Sequence, residues 1–549
     1  MLKTLTSKQK IIIIFLFALF LRTYKLNLLP IGFHADEVRV AWNALSIQQT
    51  GKDDRGNRFA LYYNTFGDYR PSGIFYLTIP SIMIFGKNEF AVRFPSALLG
   101  SLTVIPIYLI TQLLTKDSKK RNYYSLLSSF FLAISPWHIS TSRATSEVII
   151  SSFFAILGLY FFLYAIYLPN SKKKIYLFSF LSLSLSYFFY HSIRILAPLL
   201  LGTTFLYFIK KVFHTQKLKP SIAVLISIFA LTILFSLQNN ARERFSQVSI
   251  FSDLDVKHEL SRMPFEEGPN KVFIARLFHN KLFTYSRKFI DEYTKYFSSE
   301  FFITNVAKPG RYSTVNTGLL TYLEFFIFIA GVIAIIKKTN LSLPIFLLFV
   351  SPFAAALTTE DSPNLHRSLL MIFFIVIIES FGYVYLTQNK LTRKIIFSLL
   401  IINFVYYLHM YYTHAKYYLA EGRNEGAKEL ALFINESKNN YDKILLTNIP
   451  DDLYPWLGFF GDYDPTSFNQ SAIKRKDGVW EYNQIVFTSQ RCPSRDAFEK
   501  PLGNFRLLVV DASGCATESN LKNRSDVKII KEVKLPNEAI NYTLWSYSK

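Results

Sequence analysis

The chain contains eleven apolar stretches, each about as long as a helix that crosses a bilayer, which takes roughly 20 residues. They run from about 11 to 29, 94 to 115, 122 to 138, 147 to 168, 175 to 190, 195 to 213, 221 to 237, 317 to 336, 341 to 357, 368 to 386 and 395 to 413. Only 18% of the 549 residues are charged, below the roughly 25% of an average globular protein. These features predict a polytopic α-helical membrane protein and exclude a cytosolic enzyme.

Basic residues lie on alternate connections between these stretches. The formal net charge is +22, which in a soluble protein would suggest nucleic acid as a partner. Six connections hold 19 basic residues and one acid, Asp117: the N-terminus and residues 116–121, 172–174, 210–219, 337–338 and 390–394. With eleven crossings all six lie on one side, which the positive-inside rule makes cytoplasmic. We therefore predict a multi-pass plasma-membrane protein in a lipid bilayer, with a cytoplasmic N-terminus, an extracytoplasmic C-terminus and no nucleic acid partner.

Residues 71–86 are apolar enough to resemble a twelfth span. A crossing there would move every later basic connection to the outer face. We therefore expect an interfacial helix on the outer side, interrupted at Pro71, Gly73 and Pro80. External loops are then predicted near residues 30–93 and 238–316.

The first apolar stretch allows two interpretations. Lys3, Lys8 and Lys10 before an apolar core are typical of a signal peptide as well as of an anchor. No small-x-small cleavage site follows, and Arg22 with Lys25 suits a helix end at the outer interface. We therefore favour the anchor.

After about residue 414 the sequence changes to that of a small α/β domain. Asn424 is expected to cap a helix whose apolar residues recur at helical spacing, namely Ala427, Leu430, Ala431 and Ile434. Strand-like runs follow at 443–447, 485–488, 505–511, 527–533 and 542–547. Cys492 and Cys515 are the only cysteines of the chain, and their spacing leaves a disulfide and two free thiols equally open. The predicted domains are 1–413 in the membrane and 414–549 outside it.

Ionisable residues recur at the predicted outer ends of the spans, where charge is costly and often functional. They are Asp36 and Glu37, Asp68 with Tyr69 and Arg70, Arg143 and Glu147, His191 and Arg194, and His366 with Arg367. One such residue is more often a helix cap or an interfacial ion pair. Five groups at one depth favour a shared site instead.

A carboxylate near several arginines suits the transfer of a sugar from a phosphate. Arginine binds phosphate oxygens in a bidentate fork and stabilises the charge that develops as the sugar–phosphate bond breaks. The carboxylate accepts the proton of an attacking hydroxyl. At the outer face of a bilayer the natural donor is a polyprenyl-phosphate-linked sugar.

Five segments near these residues resemble a known family. LRTYKL, HADEVRVAWNAL, DYRPSGIFYLTIP, FGKNEFAVRFPSALLGSLTVIPIYLI and SPWHISTSRATSEV occur in the order found in protein O-mannosyltransferases and lipid A aminoarabinose transferases, which are GT-C glycosyltransferases. The resemblance covers about residues 15–200 and, more faintly, 363–368. It does not reach the C-terminal domain.

The resemblance implies a GT-C fold and an inverting glycosyl transfer by direct displacement. Asp36 matches the catalytic acidic position of the family, with Glu37 beside it, and Glu147 matches the second acidic position. Arg70 stands where relatives have a Lys or Arg that contacts the lipid phosphate, although Pro71-Ser72 replaces their usual Pro-Pro. Some GT-C relatives bind a divalent metal; we predict no ligands for one, and metal dependence stays open.

Purely structural roles are also considered for three parts of the chain. Asp36 could instead be the N-cap of the helix that follows it. Arg93 is expected to anchor the second span at the headgroups. Residues 238–316, which mix aromatic and charged side chains, are equally compatible with a cover that contacts the acceptor and with a solvated connector.

The predicted function is transfer of a sugar from a polyprenyl-phosphate carrier to a hydroxyl acceptor on a protein, a lipid or an envelope glycan. A transporter or lipid flippase is the alternative, because it would also place charges in a helical bundle. It would further require charges near mid-membrane and repeated halves, and neither is evident in the sequence. A membrane-anchored binding protein is a third possibility, for which eleven spans are excessive.

Overall fold

The fold is described by a computed structural model, which covers residues 5–547 except 66–67, 169–172, 216, 305–307, 313–315, 339–340, 447–452, 474–479, 489–505 and 513–524. The chain divides into two compact units. The first unit holds Met1–Tyr24, Leu61–Gly73 and Ser96–Tyr411, and the second holds Lys25–Ala60, Ile74–Pro95 and Tyr412–Lys549. The second unit therefore combines the segment around Asp36 with the C-terminal residues.

Helices account for most of the described chain. Up to residue 236 they are α1 (Ser7–Thr23), α2 (Ala35–Thr50), α3 (Gly73–Phe85), α4 (Glu89–Leu102), α5 (Val104–Leu114), α6 (Arg121–Ile134), α7 (Pro136–Ser142), α8 (Glu147–Tyr167), α9 (Lys173–Ser186), α10 (Ile193–Tyr207), α11 (Ile209–His214) and α12 (Leu218–Ser236). The later ones are α13 (Asn239–Val248), α14 (Leu254–Glu267), α15 (Val272–Phe278), α16 (Lys281–Lys295), α17 (Ser299–Ile303), α18 (Tyr322–Lys338), α19 (Leu343–Val350), α20 (Phe353–Ala356), α21 (Leu370–Leu386), α22 (Lys390–His409), α23 (Ala415–Leu419), α24 (Ala427–Ser437), α25 (Tyr454–Phe460) and α26 (Pro465–Ile473). Each of the eleven predicted apolar stretches overlaps at least one of these helices.

Four helical segments are long and apolar enough to cross a membrane, judged by length and composition within the described residues. They are Glu89–Leu114, Glu147–Tyr167, Leu218–Ser236 and Lys390–Leu419. Shorter apolar helices, such as Ile193–Tyr207 and Leu370–Leu386, occupy other predicted spans. The helical nature of the apolar stretches is confirmed, while the eleven crossings and their orientation stay predictions.

Two segments differ from their predicted form. The helix α3 begins at Gly73, after Pro71, and continues through Pro80 to Phe85, so the interruption predicted at Pro80 is wrong. An interior proline removes one backbone hydrogen bond and crowds the preceding turn, and the remaining bonds carry the helix past it. Residues 238–316, predicted as a long loop, mostly form the helices α13 to α17. Polar helices of this kind contain no apolar stretch of bilayer length, which is why the sequence pattern does not mark them.

The core of the first unit is centred on α21, whose residues from Leu370 to Val384 are all buried. The helix α18 crosses it where Gly331 meets Gly382, and a Cβ atom at Gly382 would overlap the carbonyl oxygen of Ile327. Small residues let two helix backbones approach this closely. The first unit also contains a hairpin of β1 (Tyr62–Thr65) and β2 (Asp68–Pro71).

The second unit contains a six-stranded sheet with the order β4-β5-β3-β6-β8-β7. Its strands are β3 (Lys443–Leu446), β4 (Trp480–Tyr482), β5 (Ile485–Phe487), β6 (Leu507–Ala512), β7 (Val527–Lys534) and β8 (Ile540–Tyr547). The strand β3 runs parallel to β5 and β6, and the other pairs are antiparallel. The predicted C-terminal α/β fold is confirmed, with β4 as an addition.

The predicted helix after residue 424 is α24, and its four predicted apolar residues are all buried. Asn424 is not its cap, because the N-cap position is taken by Gly426 in a left-handed conformation. Asn424 instead accepts a hydrogen bond from the backbone N–H of Ala35 at 3.1 Å. Cys492 and Cys515 lie outside the described residues.

Candidate functional site

The first unit holds Arg194 near the start of α10, where the residue is only 5% exposed. Its Nη1 donates to the Tyr62 hydroxyl at 2.8 Å and lies 3.1 Å from His191 Nδ1, and its Nη2 donates to the Tyr187 carbonyl at 2.9 Å. The guanidinium also lies 4.6 Å from the ring centre of Phe235. Its buried Nε has no hydrogen-bond partner within the described part of the chain. Arg194 is therefore held in place through its two terminal nitrogens.

His191 is a neutral neighbour of Arg194. Burial, and then the positive charge of Arg194, lower the pKa of His191 to about 3, with smaller effects from Arg244 and Arg70. Since Arg194 donates toward Nδ1, the proton of the neutral ring is on Nε2, which donates to the Tyr69 carbonyl at 2.8 Å. His191 thereby fixes the backbone of the residue before Arg70.

The β1–β2 hairpin connects Arg70 with Glu147. Tyr63 stands opposite Arg70 in the register of the hairpin. The Tyr63 hydroxyl donates to Glu147 Oε1 at 3.0 Å, at the first residue of α8. Arg70 and Glu147 are both half-buried. Tyr63 therefore pairs with Arg70, the predicted phosphate contact, and binds Glu147, the predicted second acidic residue.

Arg367 shares a carboxylate with a second arginine. Glu360 Oε2 lies 2.6 Å from Arg367 Nη2 and 2.8 Å from Arg244 Nη2. Burial alone would raise the pKa of Glu360, but these two positive charges lower it. Sequence reasoning missed Arg244 and Glu360, because nothing in the spacing of the chain shows that residues 116 positions apart share one contact. The ring of His366 packs 4.2 Å from the ring of Tyr312.

Arg70, Arg194 and Arg244 act electrostatically on His191, and Arg70, Arg244 and Arg367 act on the adjacent Tyr190. We call Arg70, His191, Arg194, Arg244 and Arg367 the basic cluster. Four of its members were predicted from the sequence. Its four guanidinium groups outnumber Glu147 and Glu360, the two carboxylates that contact this part of the first unit in the interactions above. An excess of positive charge in a partly buried place suits an anion such as a phosphate.

Arg143 does not have the environment expected of a residue that contacts the phosphate of the sugar donor. It is completely buried. Nη1 and Nη2 donate to the carbonyls of Leu21 and Tyr24, each at 2.8 Å, and Nε donates to the Tyr411 hydroxyl at 3.1 Å. Two of the three nitrogens thus serve carbonyl groups at the end of α1, where helix carbonyls need donors, and the third binds Tyr411.

The second unit buries Glu37 between two arginines. Arg93 donates to both carboxylate oxygens, from Nε at 3.1 Å and from Nη2 at 3.0 Å, and Arg423 Nη2 donates to Oε2 at 2.5 Å. All three residues are 0% exposed. The prediction that Arg93 anchors a span at the headgroups was wrong, because a buried carboxylate pairs with its guanidinium. Sequence reasoning had no signal for Arg423, which follows Glu37 by 386 residues.

Asp36 differs from its neighbour. Its side chain is 16% exposed and its Oδ2 lies 3.7 Å from His34 Nδ1. It is not the N-cap of α2, because His34 holds that position and forms a capping box with Glu37. The backbone N–H of Asp36 donates to His34 Nδ1 at 3.1 Å. The structure therefore separates the acidic pair into one buried residue and one partly exposed residue.

Residues 238–316 carry many exposed apolar side chains. Phe265 is 84% exposed, Phe273 77% and Leu282 80%. A cavity of about 710 Å³ lies between α14 and the start of α16 and is lined by Phe265, Val272, Arg276 and His279 among others. Exposed apolar side chains of this size argue against a fully solvated connector, while contact with the acceptor stays a prediction. Among the described residues, no group of three or more His, Cys, Asp and Glu could hold a metal ion.

Comparisons with known proteins bear on the family and the fold of the chain. The family model described as dolichyl-phosphate-mannose-protein mannosyltransferase matches residues 69–237. No protein with a curated description matches the chain in sequence. The solved structure of ArnT from Cupriavidus metallidurans bound to undecaprenyl phosphate aligns with a TM-score of 0.50 at 12% identity, covering 98% of this chain and 97% of ArnT. The predicted GT-C fold is confirmed.

Two other solved glycosyltransferases align more loosely. The archaeal oligosaccharyltransferase AglB from Archaeoglobus fulgidus, in complex with an inhibitory peptide and a dolichol-phosphate, has a TM-score of 0.46 at 13% identity over 83% of this chain. The chain spans 63% of the length of that enzyme. The third structure is the protein O-mannosyltransferase Pmt1-Pmt2 complex of S. cerevisiae bound to the sugar donor, with a TM-score of 0.33 at 20% identity. The alignment covers 43% of this chain and 33% of the yeast chain.

The resemblance to GT-C glycosyltransferases of the ArnT and protein mannosyltransferase type is confirmed by the family match and by the fold shared with ArnT. Arg70, Glu147, His191 and Arg194 fall inside the matched residues 69–237. Asp36 lies outside them. Its assignment therefore rests on the sequence resemblance alone.

Proposed function

We propose that the chain is an integral membrane glycosyltransferase that moves a sugar, with inversion, from a polyprenyl-phosphate carrier to a hydroxyl acceptor on the outer face. The observation that carries the proposal is the match of residues 69–237 to the mannosyltransferase family model, since it contains most of the basic cluster. The shared fold with ArnT, whose solved structure holds undecaprenyl phosphate, supports the same class of donor. The acceptor is a protein, a lipid or an envelope glycan.

In the proposed reaction the acceptor oxygen attacks the anomeric carbon as its proton passes to a carboxylate. The bond from that carbon to the phosphate oxygen breaks, and the electron pair leaves with the polyprenyl phosphate. Arg70 and Arg194 stabilise the negative charge that grows on the phosphate, as fixed guanidinium donors do. Contacts with the Tyr62 hydroxyl and the Tyr187 carbonyl already hold the guanidinium of Arg194 in place.

The carboxylates have separate proposed roles. Asp36 is the general base, because it is the partly exposed member of the acidic pair and matches the catalytic position of the family. Glu147, oriented by Tyr63, positions the substrate. Glu37 and Arg143 have no proposed contact with substrate, because buried partners occupy their polar groups.

A transfer assay tests the proposal. The full chain is reconstituted in vesicles with a labelled undecaprenyl-phosphate sugar, in separate mannose, glucose and aminoarabinose series, and membranes from a deletion strain supply the acceptor. We expect label to pass from the carrier to the acceptor fraction in at least one series. Failure with every donor would contradict the proposed function.

The variant Asp36→Asn keeps the size of the side chain and removes the base, so transfer should slow at least ~100-fold, the lower end of general-base contributions. Donor binding should change little. Asp117→Asn, an exposed acid on a predicted cytoplasmic connection, is the control and should transfer at the wild-type rate. If Asp36→Asn remains active while Glu147→Gln does not, the base is Glu147.

A further inference from the structure

Four hydrogen bonds from the C-terminal part of the second unit hold alternate residues of the segment around Asp36. Arg423 Nε donates to the Ile31 carbonyl at 2.8 Å, and Trp456 Nε1 donates to the Phe33 carbonyl at 3.1 Å. The Asn424 side chain accepts from the N–H of Ala35 at 3.1 Å, and Arg423 Nη2 pairs with Glu37 at 2.5 Å. These contacts all lie within the second unit and surround Asp36 on both sides in sequence.

The second arginine at Glu37 is not required for charge balance. Arg93 alone neutralises the carboxylate through a two-point contact. Burying the guanidinium of Arg423 as well costs desolvation energy. Its benefit is geometric, because the same side chain also binds the Ile31 carbonyl and so fixes two points six residues apart.

The backbone is adapted to this close approach. Gly32 has a φ of +70°, and a Cβ atom there would overlap the carbonyl oxygen of Arg423. Behind the segment, the indole of Trp42 donates to the Tyr454 hydroxyl at 3.0 Å and to Asn469 Oδ1 at 2.9 Å. The helix that carries Asp36 is therefore fixed to the C-terminal residues along its first two turns.

We propose that Arg423, Asn424 and Trp456 form a positioning clamp for Asp36, so that the C-terminal domain serves the transfer reaction by fixing its base. The inference rests on the proposed function and deepens it. A catalytic group works when it is held within about 0.5 Å of its productive place, and a displacement of 1 Å can cost about a hundredfold in rate. None of the three clamp residues needs to touch substrate.

The clamp is tested with Arg423→Gln in the reconstituted full chain. The matched control is Arg506→Gln, which breaks an ion pair with Asp442 in the same unit where both side chains are exposed, at 60% and 42%. We expect kcat to fall at least ~10-fold for Arg423→Gln, with the donor KM changed less than ~2-fold, since the clamp acts on the base and not on phosphate binding. The control should leave both parameters unchanged.

Hydrogen–deuterium exchange supplies a readout that does not depend on activity. In Arg423→Gln the amides of residues 31–37 should exchange at least ~10-fold faster, while those of β6 and β8 keep the wild-type rate. Trp456→Phe removes one N–H donor, keeps the aromatic packing and should give the same pattern at smaller size. It decides the question if Arg423→Gln fails to fold.

Three results would overturn the clamp: exchange at residues 31–37 equal to wild type, a kcat equal to that of the control, or a rise in donor KM alone. A wild-type chain that transfers no sugar would refute the proposed function. In that case the exchange rate of residues 31–37 in Arg423→Gln, relative to wild type, still tests whether Arg423 fixes this segment. The two failures are thereby distinguishable.

Discussion

Glu37→Gln should destabilise the second unit, although glutamine has the same shape as glutamate. The carboxylate of Glu37 accepts from Arg93 at 3.1 and 3.0 Å and from Arg423 at 2.5 Å, and all three residues are 0% exposed. The substitution leaves two buried guanidinium groups facing a neutral amide. Removing one partner of a buried ion pair costs about 3–5 kcal/mol.

That loss is a large part of the 5–15 kcal/mol that stabilises a typical folded protein, and it multiplies the unfolded fraction by about a hundred to a few thousand. The assay is tryptophan fluorescence of the detergent-solubilised chain during denaturant unfolding, because Trp42 and Trp456 are buried in this unit. The control is Glu89→Gln. Glu89 lies 2.6 Å from Lys428, whose side chain is 42% exposed, and such a pair contributes only about 0–1 kcal/mol. Equal midpoints for the two variants would refute the assignment of Glu37 as a buried structural acid.

Three further predictions concern the phosphate contact, pH and topology. Arg70→Ala should raise the donor KM at least ~10-fold with the fold retained, because it removes a charge-assisted contact; unchanged donor use in vesicles would remove Arg70 from the site. His191 has a pKa of about 3 in the folded chain against 6.5 when unfolded, so the unfolded chain binds the extra proton and stability falls as the pH drops below about 6.5, by up to about 2 kcal/mol at pH 5. The melting temperature of wild type should therefore fall between pH 7 and pH 5, and that of His191→Gln should fall less. An equal fall in the two proteins would contradict burial of the neutral ring. A single cysteine at position 119 should resist an impermeant label in intact cells, whereas labelling there would overturn the predicted topology.

Much of the helical framework was predictable because its signal is local. A stretch such as Glu147–Tyr167 is apolar over its whole length, and no distant residue is needed to make it a helix. The strand at Leu507–Ala512 is likewise marked by its own β-branched side chains, Val509 and Val510. The helices of residues 238–316 were missed, since their apolar and charged residues alternate without a stretch of bilayer length.

The sequence by itself determined which ionisable residues stand at the ends of apolar stretches, among them Asp36, Glu37 and Arg143. The tertiary structure alone decided what each of them does, because the partner of a charge is chosen by the fold and not by spacing. Glu37 is buried against Arg423, 386 residues later, while Arg143 is used by the carbonyl groups at the end of α1. A buried charge must find a partner wherever the packed chain provides one, and that requirement left Asp36 as the partly exposed member of the acidic pair.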